Sequence, residues 1–258
     1  MGAVQSDCRI EVCAGSLESA LVAQEAGAYR VELCAGMPEG GTTPSYGEIA
    51  LARKMLDIKL HVIIRPRGGD FLYSPLEQDI MLRDIEAVRA LGVDGIVVGC
   101  LTADADVDCT AMGRIMEAAH GMSVTFHRAF DMVRDPMGAL EKIISLGCGR
   151  ILTSGQKNHA LDGCGLIARL VAAAAGRIVI MPGSGVTAEN ISQIAARTGA
   201  KEFHLSGRTA VDGGMHYRNT QVSMGGTVNI DEYKRYVTDR TKIEAAIAAL
   251  RGVPVQFP

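Results

Sequence analysis

Short β-branched runs alternate with longer stretches of helical spacing along almost the whole chain, and this alternation limits the fold more than any other feature. The runs read "CRIEV", "RVEL", "LHVIIR", "GIVVG", "SVTFH", "RILT", "RIVIMP" and "EFHLS", eight of them before residue 207. Amphipathic segments separate them. In "SLESALVAQEAG", Ser16 suits an N-cap and Gly27 a C-terminal stop. "PLEQDIMLRDIEAVRALG" opens with Pro75 in its first turn and closes at Gly92. Eight strand–helix units within 258 residues predict a single-domain (β/α)8 TIM barrel. A doubly wound sheet is the competing architecture, but it normally carries a G-x-G-x-x-G turn after its first strand. Here that strand ends in "CAGS", and no organic cofactor is expected. Residues 207–238 are polar and glycine-rich and read as a long insertion after strand eight; residues 239–251 read as the final helix, so that 1–258 form one domain.

In a barrel, alternate strand residues face the interior, and the carboxyl ends of the strands carry the site. The stretch "RIEVCAGS", starting at Arg9, returns 21 residues later as "RVELCAGM", starting at Arg30. Each copy places a glutamate and then a cysteine on one face of a strand: Glu11 with Cys13, and Glu32 with Cys34. Strand three ends in Arg65, followed by Arg67 and Asp70. Strand five ends in Thr125 and His127, strand six in Thr153 and Ser154, strand seven in the Gly183–Gly185 turn, and strand eight in His204 and Ser206. Burying an unpaired charge costs several kcal/mol, so these groups call for pairing or for a ligand. Glu11, Glu32, His127 and Arg65 form a candidate acid–base set. Arg67, Ser154, Gly183, Gly185 and Ser206 form a candidate anion cradle, since glycine turns leave backbone N–H groups free to converge. The plain structural alternative is a salt-bridged network joining Glu11 and Glu32 to Arg65 and Arg67. No strand carries an inward lysine at its end, which disfavours Schiff-base chemistry. No H-x-H pair or H-E-x-x-H occurs, which disfavours a hydrolytic zinc site.

The net charge is −3, only 4% of residues are aromatic and Trp is absent, so neither a nucleic-acid footprint nor a base-stacking platform is expected. No apolar run is long enough for a membrane span. The start "MGAVQS" matches the short myristoylation pattern, which chance often satisfies. Seven cysteines, an odd number without a C-x-x-C pair, suit a reducing cytoplasm better than a disulfide framework. Cys13 and Cys34 stand at matching ends of adjacent strands, which lie about 4.8 Å apart. Two thiols so placed suit a soft, low-coordinate ion such as Cu(I), with Met37 or Met181 as further sulfur donors. Under oxidation the same pair suits a disulfide.

The stretches "RVELCAGMPEGGTTPS", "IIRPRGGDFLYS", "VTFHRAFDM", "RILTSGQ", "MPGSGVTAENI" and "YRNTQVSMG" together closely resemble the CutC family of copper-homeostasis proteins. The resemblance runs from about Ile10 to the final helix. It implies a cytoplasmic (β/α)8 barrel that forms homodimers or higher homo-oligomers, and Cu(I) held by the cysteines of the "EVC" and "ELC" motifs, here Cys13 and Cys34. Two readings follow. One is a Cu(I)-binding protein. The other is a barrel enzyme performing isomerase- or lyase-like acid–base chemistry on a small anionic metabolite, which would use the glutamates, His127, the arginines and the glycine turns.

Overall fold

The structure, a computed structural model, describes residues 8–224 and 231–251. The "MGAVQS" start and residues 225–230 of the predicted insertion lie outside them. Eight parallel strands carry the fold: β1 (Arg9–Ala14), β2 (Arg30–Leu33), β3 (Lys59–Ile63), β4 (Gly95–Val98), β5 (Ser123–Phe126), β6 (Arg150–Thr153), β7 (Val179–Pro182) and β8 (Glu202–Leu205). Their order is β7-β6-β5-β4-β3-β2-β1-β8, and β7 and β8 lie against each other without a hydrogen-bonded ladder. The result is a nearly closed TIM barrel in a single domain.

Helices α1 (Leu17–Glu25), α2 (Tyr46–Met55), α3 (Pro75–Ala90), α4 (Cys109–Ala118), α5 (Pro136–Ser145), α6 (Cys164–Ala174), α7 (Ile191–Thr198) and α8 (Arg240–Arg251) follow the strands in turn. Their ends obey the local chemistry. Ser16 accepts a hydrogen bond from Ser19 N–H and starts α1. Ser74 and Glu77 form a reciprocal capping box ahead of Pro75. Gly27, Gly92 and Gly199 close helices or their turns at positive φ, where a side chain would be strained. The main apolar core lies between sheet and helices and includes Val12, Val31, Leu60, Ile96, Phe126, Ile151 and Phe203.

The 207–238 segment is not structureless. Its two ends form an antiparallel ribbon, β9 (Arg208–Asp212) with β10 (Lys234–Thr238), in which Thr238 pairs with Arg208. The polar, glycine-rich composition concealed strands whose side chains are mostly exposed or half-buried.

The barrel interior differs from the sheet–helix core. A small apolar cluster stands apart from that core, Cys13, Cys34, Ile63 and Val97 with Met37 packed against them. Beside it lies a buried ion network. Register explains how. Glu11 stands level with Arg30 of β2 and His204 of β8, and Cys13 level with Glu32. The two repeat motifs are thus staggered by two residues rather than aligned, because closing a barrel requires its strands to shear.

Candidate metal site inside the barrel

The site rests on a buried ion network. Arg30, only 1% exposed, donates through Nε to Glu11 and through Nη2 to Glu202 at 2.7 Å. Arg150 donates to the same Glu202 oxygen at 2.8 Å. Burial disfavours charge on Glu11, but Arg30 and His204 outweigh it and hold the carboxyl well below the usual carboxylate range. Burial likewise opposes the Arg30 charge, and the two glutamates more than restore it.

Above this floor, Glu11 Oε1 meets His204 Nδ1 at 2.8 Å, which fixes the imidazole. The other ring nitrogen, Nε2, lies 3.7 Å from Glu32 Oε2. Cys13 Sγ and Cys34 Sγ are 3.7 Å apart, both buried. Their contact, with His204 assisting, holds Cys13 well below the ordinary thiol range despite burial, and the same contact together with burial raises Cys34. Burial and the neighbouring Cys13 raise Glu32. Burial opposes a charge on His204, but Cys13 and Glu11 raise it well above the usual histidine value. The carboxylates of Glu11 and Glu202 thus alternate with the guanidinium groups of Arg30 and Arg150, and His204 joins Glu11 to Glu32. Cys13, Glu32 and His204 present ligand atoms all within 4.8 Å of one another.

The network corrects the structural alternative drawn from sequence: the partner of Glu11 is Arg30, not Arg65 or Arg67. Arg65 turns to backbone instead, donating to the carbonyls of Glu39, Gly41 and Gly69 at 2.8, 2.8 and 2.9 Å. Arg67 pairs with Glu77 at 2.5 Å and with Asp70 at 3.2 Å. Ser154 is tied to Asp131 at 2.8 Å and to Arg128 at 2.9 Å. Gly185 is at positive φ beside His159, Gly183 lies against Leu152 and His204, and Ser206 accepts from Arg208 at 3.3 Å. His127 accepts from Ala129 N–H through Nδ1, and burial lowers its pKa to about 3, so it is neutral at pH 7. The structure therefore brings together Glu11, Glu32, Cys13 and Cys34. Among the described residues, no hydrogen bond or ion pair joins His127 or Arg65 to either glutamate. Met37 packs at the thiol pair, whereas Met181 accepts from Arg30 Nη2 at 3.5 Å in the floor.

Two central residues were absent from the sequence-derived site. Arg30 stands two residues before Glu32, so period-two alternation puts both on one face. His204 was placed on the interior face of strand eight but given no role. Its partner Glu11 lies 193 positions away, a separation that sequence spacing cannot bridge.

A family model, the CutC family, matches residues 8–209. The chain belongs to the CutC family. It is 58% identical over 245 residues to a CutC family protein of Bacteroides thetaiotaomicron, covering 95% of this chain and 98% of that one. It is 47% identical over 246 residues to the human copper homeostasis protein cutC homolog, covering 95% of this chain and 90% of the human one. A crystal structure of CutC from Streptococcus agalactiae superposes with a TM-score of 0.75 at 39% identity, covering 77% of this chain and 98% of that one. A phosphoribosylanthranilate isomerase from Thermotoga maritima matches with a TM-score of 0.57 at 12% identity, a likeness of fold alone. Among the described residues of this CutC-family chain, no helix is long and apolar enough to cross a membrane.

Proposed function

We propose that this chain binds Cu(I) through Cys13 and Cys34 and serves copper homeostasis. The observation that carries the reading is the buried approach of the two sulfurs to 3.7 Å. Thiolates are soft ligands that select Cu(I) over harder ions. Binding to both sulfurs displaces their thiol protons, and the contact between them already lowers Cys13. Ile63, Val97 and Met37 pack around the pair. The name of the human relative supports the same role. A cytoplasmic location and a homodimer or larger homo-oligomer belong to this reading, since Cys13 and Cys34 must stay reduced to hold Cu(I).

The test is an anaerobic Cu(I) competition titration of the wild-type chain against Cys13→Ser/Cys34→Ser. High-affinity binding is expected to vanish in the double variant. Full affinity in that variant would place the copper elsewhere.

One observation favours the second reading, acid–base chemistry on a small anionic metabolite. Among the described residues, His127 Nε2, Thr125 Oγ1 and Arg65 Nε are buried with no hydrogen-bond partner. His127 and Arg65 both lie on the Phe71 ring, at 5.0 and 5.1 Å. A bound acceptor oxygen would satisfy these donors. A thermal-shift screen with sugar phosphates tests it: stabilisation in the wild type that Arg65→Met abolishes supports it, and a flat screen counts against it.

A further inference from the structure

The copper reading uses two sulfurs and leaves Glu32 and His204 without a task. Among the described residues, Cys13, Glu32 and His204 are the one group of three or more metal-ligating side chains whose ligand atoms converge. Cys34 is not part of that group. Cys13 therefore stands between two different partners: a second sulfur on one side, and an oxygen–nitrogen pair on the other.

We propose that Cys13, Glu32 and His204 form a coordination site for a borderline divalent cation, with zinc(II) its redox-inert representative, and that this ion competes with Cu(I) for the shared Cys13. The inference rests on the same cavity as the copper reading but on a different ligand set.

Three features support it. The first is donor chemistry. One thiolate, one imidazole and one carboxylate are ordinary zinc ligands, and three protein ligands leave a fourth position for water or substrate. The sequence contained no short zinc motif because these ligands come from β1, β2 and β8 and meet only through barrel closure. The second is geometry. Around a tetrahedral zinc ion with bonds of about 2.0–2.3 Å, ligand atoms sit about 3.4–3.8 Å apart. His204 Nε2 and Glu32 Oε2 are 3.7 Å apart, and the whole triad spans no more than 4.8 Å, so binding needs a contraction of about 1 Å.

The third is preorganisation. Zinc-bound histidines usually give their second nitrogen to a carboxylate, which fixes ring and tautomer. Here Glu11 holds Nδ1 of His204 at 2.8 Å, and Arg30 holds Glu11 from below. Nε2 is thus left directed at Glu32.

The experiment uses the full-length metal-free chain under anaerobic conditions, with zinc(II) titrated against a chromophoric chelator and Cu(I) titrated in parallel. Cobalt(II) replaces zinc as a spectroscopic probe. The wild type is expected to take up one zinc(II), to give a thiolate-to-cobalt charge-transfer band, and to lose both when preloaded with Cu(I). His204→Gln and Glu32→Gln should each lower the zinc-to-Cu(I) affinity ratio at least tenfold. Cys34→Ser should raise it at least tenfold, and Cys13→Ser should abolish both metals. The cobalt band needs no variant, so a misfolded substitution does not leave the idea untested. Absence of that band, an unchanged ratio in both His204→Gln and Glu32→Gln, or simultaneous binding of zinc(II) and Cu(I) overturns the proposal. Cu(I) binding that survives Cys34→Ser would instead sink the two-cysteine copper reading and leave the zinc ligands standing.

Discussion

Arg30→Met tests whether the barrel is held by its ionic interior. Methionine keeps the length of the side chain and removes its charge and donors. Arg30 donates to Glu11 and Glu202 and is 1% exposed. Both carboxylates keep partners after the change: His204 on Glu11 and Arg150 on Glu202, both at 2.8 Å, with Arg9 at 3.9 Å from Glu202. The loss is therefore that of one broken buried pair, about 3–5 kcal/mol. For a chain of this size that corresponds to a fall in Tm of about 6–20 °C, at about 2–4 °C per kcal/mol. Urea unfolding at pH 7 gives the free energy, with an unchanged m-value showing that the midpoint shift is a stability change. The double variant Glu11→Gln/Arg30→Met should recover about 1–2 kcal/mol of the loss, because it no longer buries an unbalanced carboxylate. A loss below about 1 kcal/mol for Arg30→Met would show that His204 and Arg150 balance the two glutamates alone, and the network argument would fail.

Burial lowers His61 and His127 to about 3, so both are neutral in the fold while the unfolded chain protonates near pH 6.5. Stability should accordingly fall as pH drops below about 6.5, by about 2 kcal/mol per histidine at pH 5; urea midpoints from pH 7 to 5 should fall less steeply for His127→Gln, and an identical slope counts against the assignment. Gly95→Ala places a methyl 2.5 Å from the Ser123 carbonyl and 2.6 Å from His61 Nε2, so a loss of at least about 1–3 kcal/mol is expected; a Tm within 2 °C of wild type, by order of magnitude, would show that the strands shift freely. Arg65→Met frees the carbonyls of Glu39, Gly41 and Gly69, and hydrogen exchange should rise across 36–43 and 66–70 with little change in α5 or α6.

The barrel was readable because each level of the sequence agrees with it: β-branched runs where strands form, Ser16 as a cap, Pro75 in a first turn, and Gly27 and Gly92 at positive φ. The site was readable only in part. Glu11, Glu32, Cys13 and Cys34 stand out as polar residues in apolar runs, and period two assigns them to the interior. Their partners do not stand out. The shear that aligns Cys13 with Glu32 is a property of closure, and it also sets His204 beside Glu11. Arg65 reads from sequence as an acid–base residue or an ion-pair partner of the glutamates, because its actual partners are backbone carbonyls, which every residue possesses. The β9–β10 ribbon was missed because exposed strands lack the apolar alternation by which strands are read.

The most direct measurement of the copper reading is X-ray absorption at the copper edge on the anaerobically loaded chain, with the metal-to-protein ratio fixed at one. Two sulfur scatterers are expected in the wild type and one or none in Cys34→Ser, with affinity falling in step. A first coordination sphere of nitrogen and oxygen alone, or a two-sulfur signal that persists in Cys13→Ser/Cys34→Ser, would contradict copper binding between the strands β1 and β2.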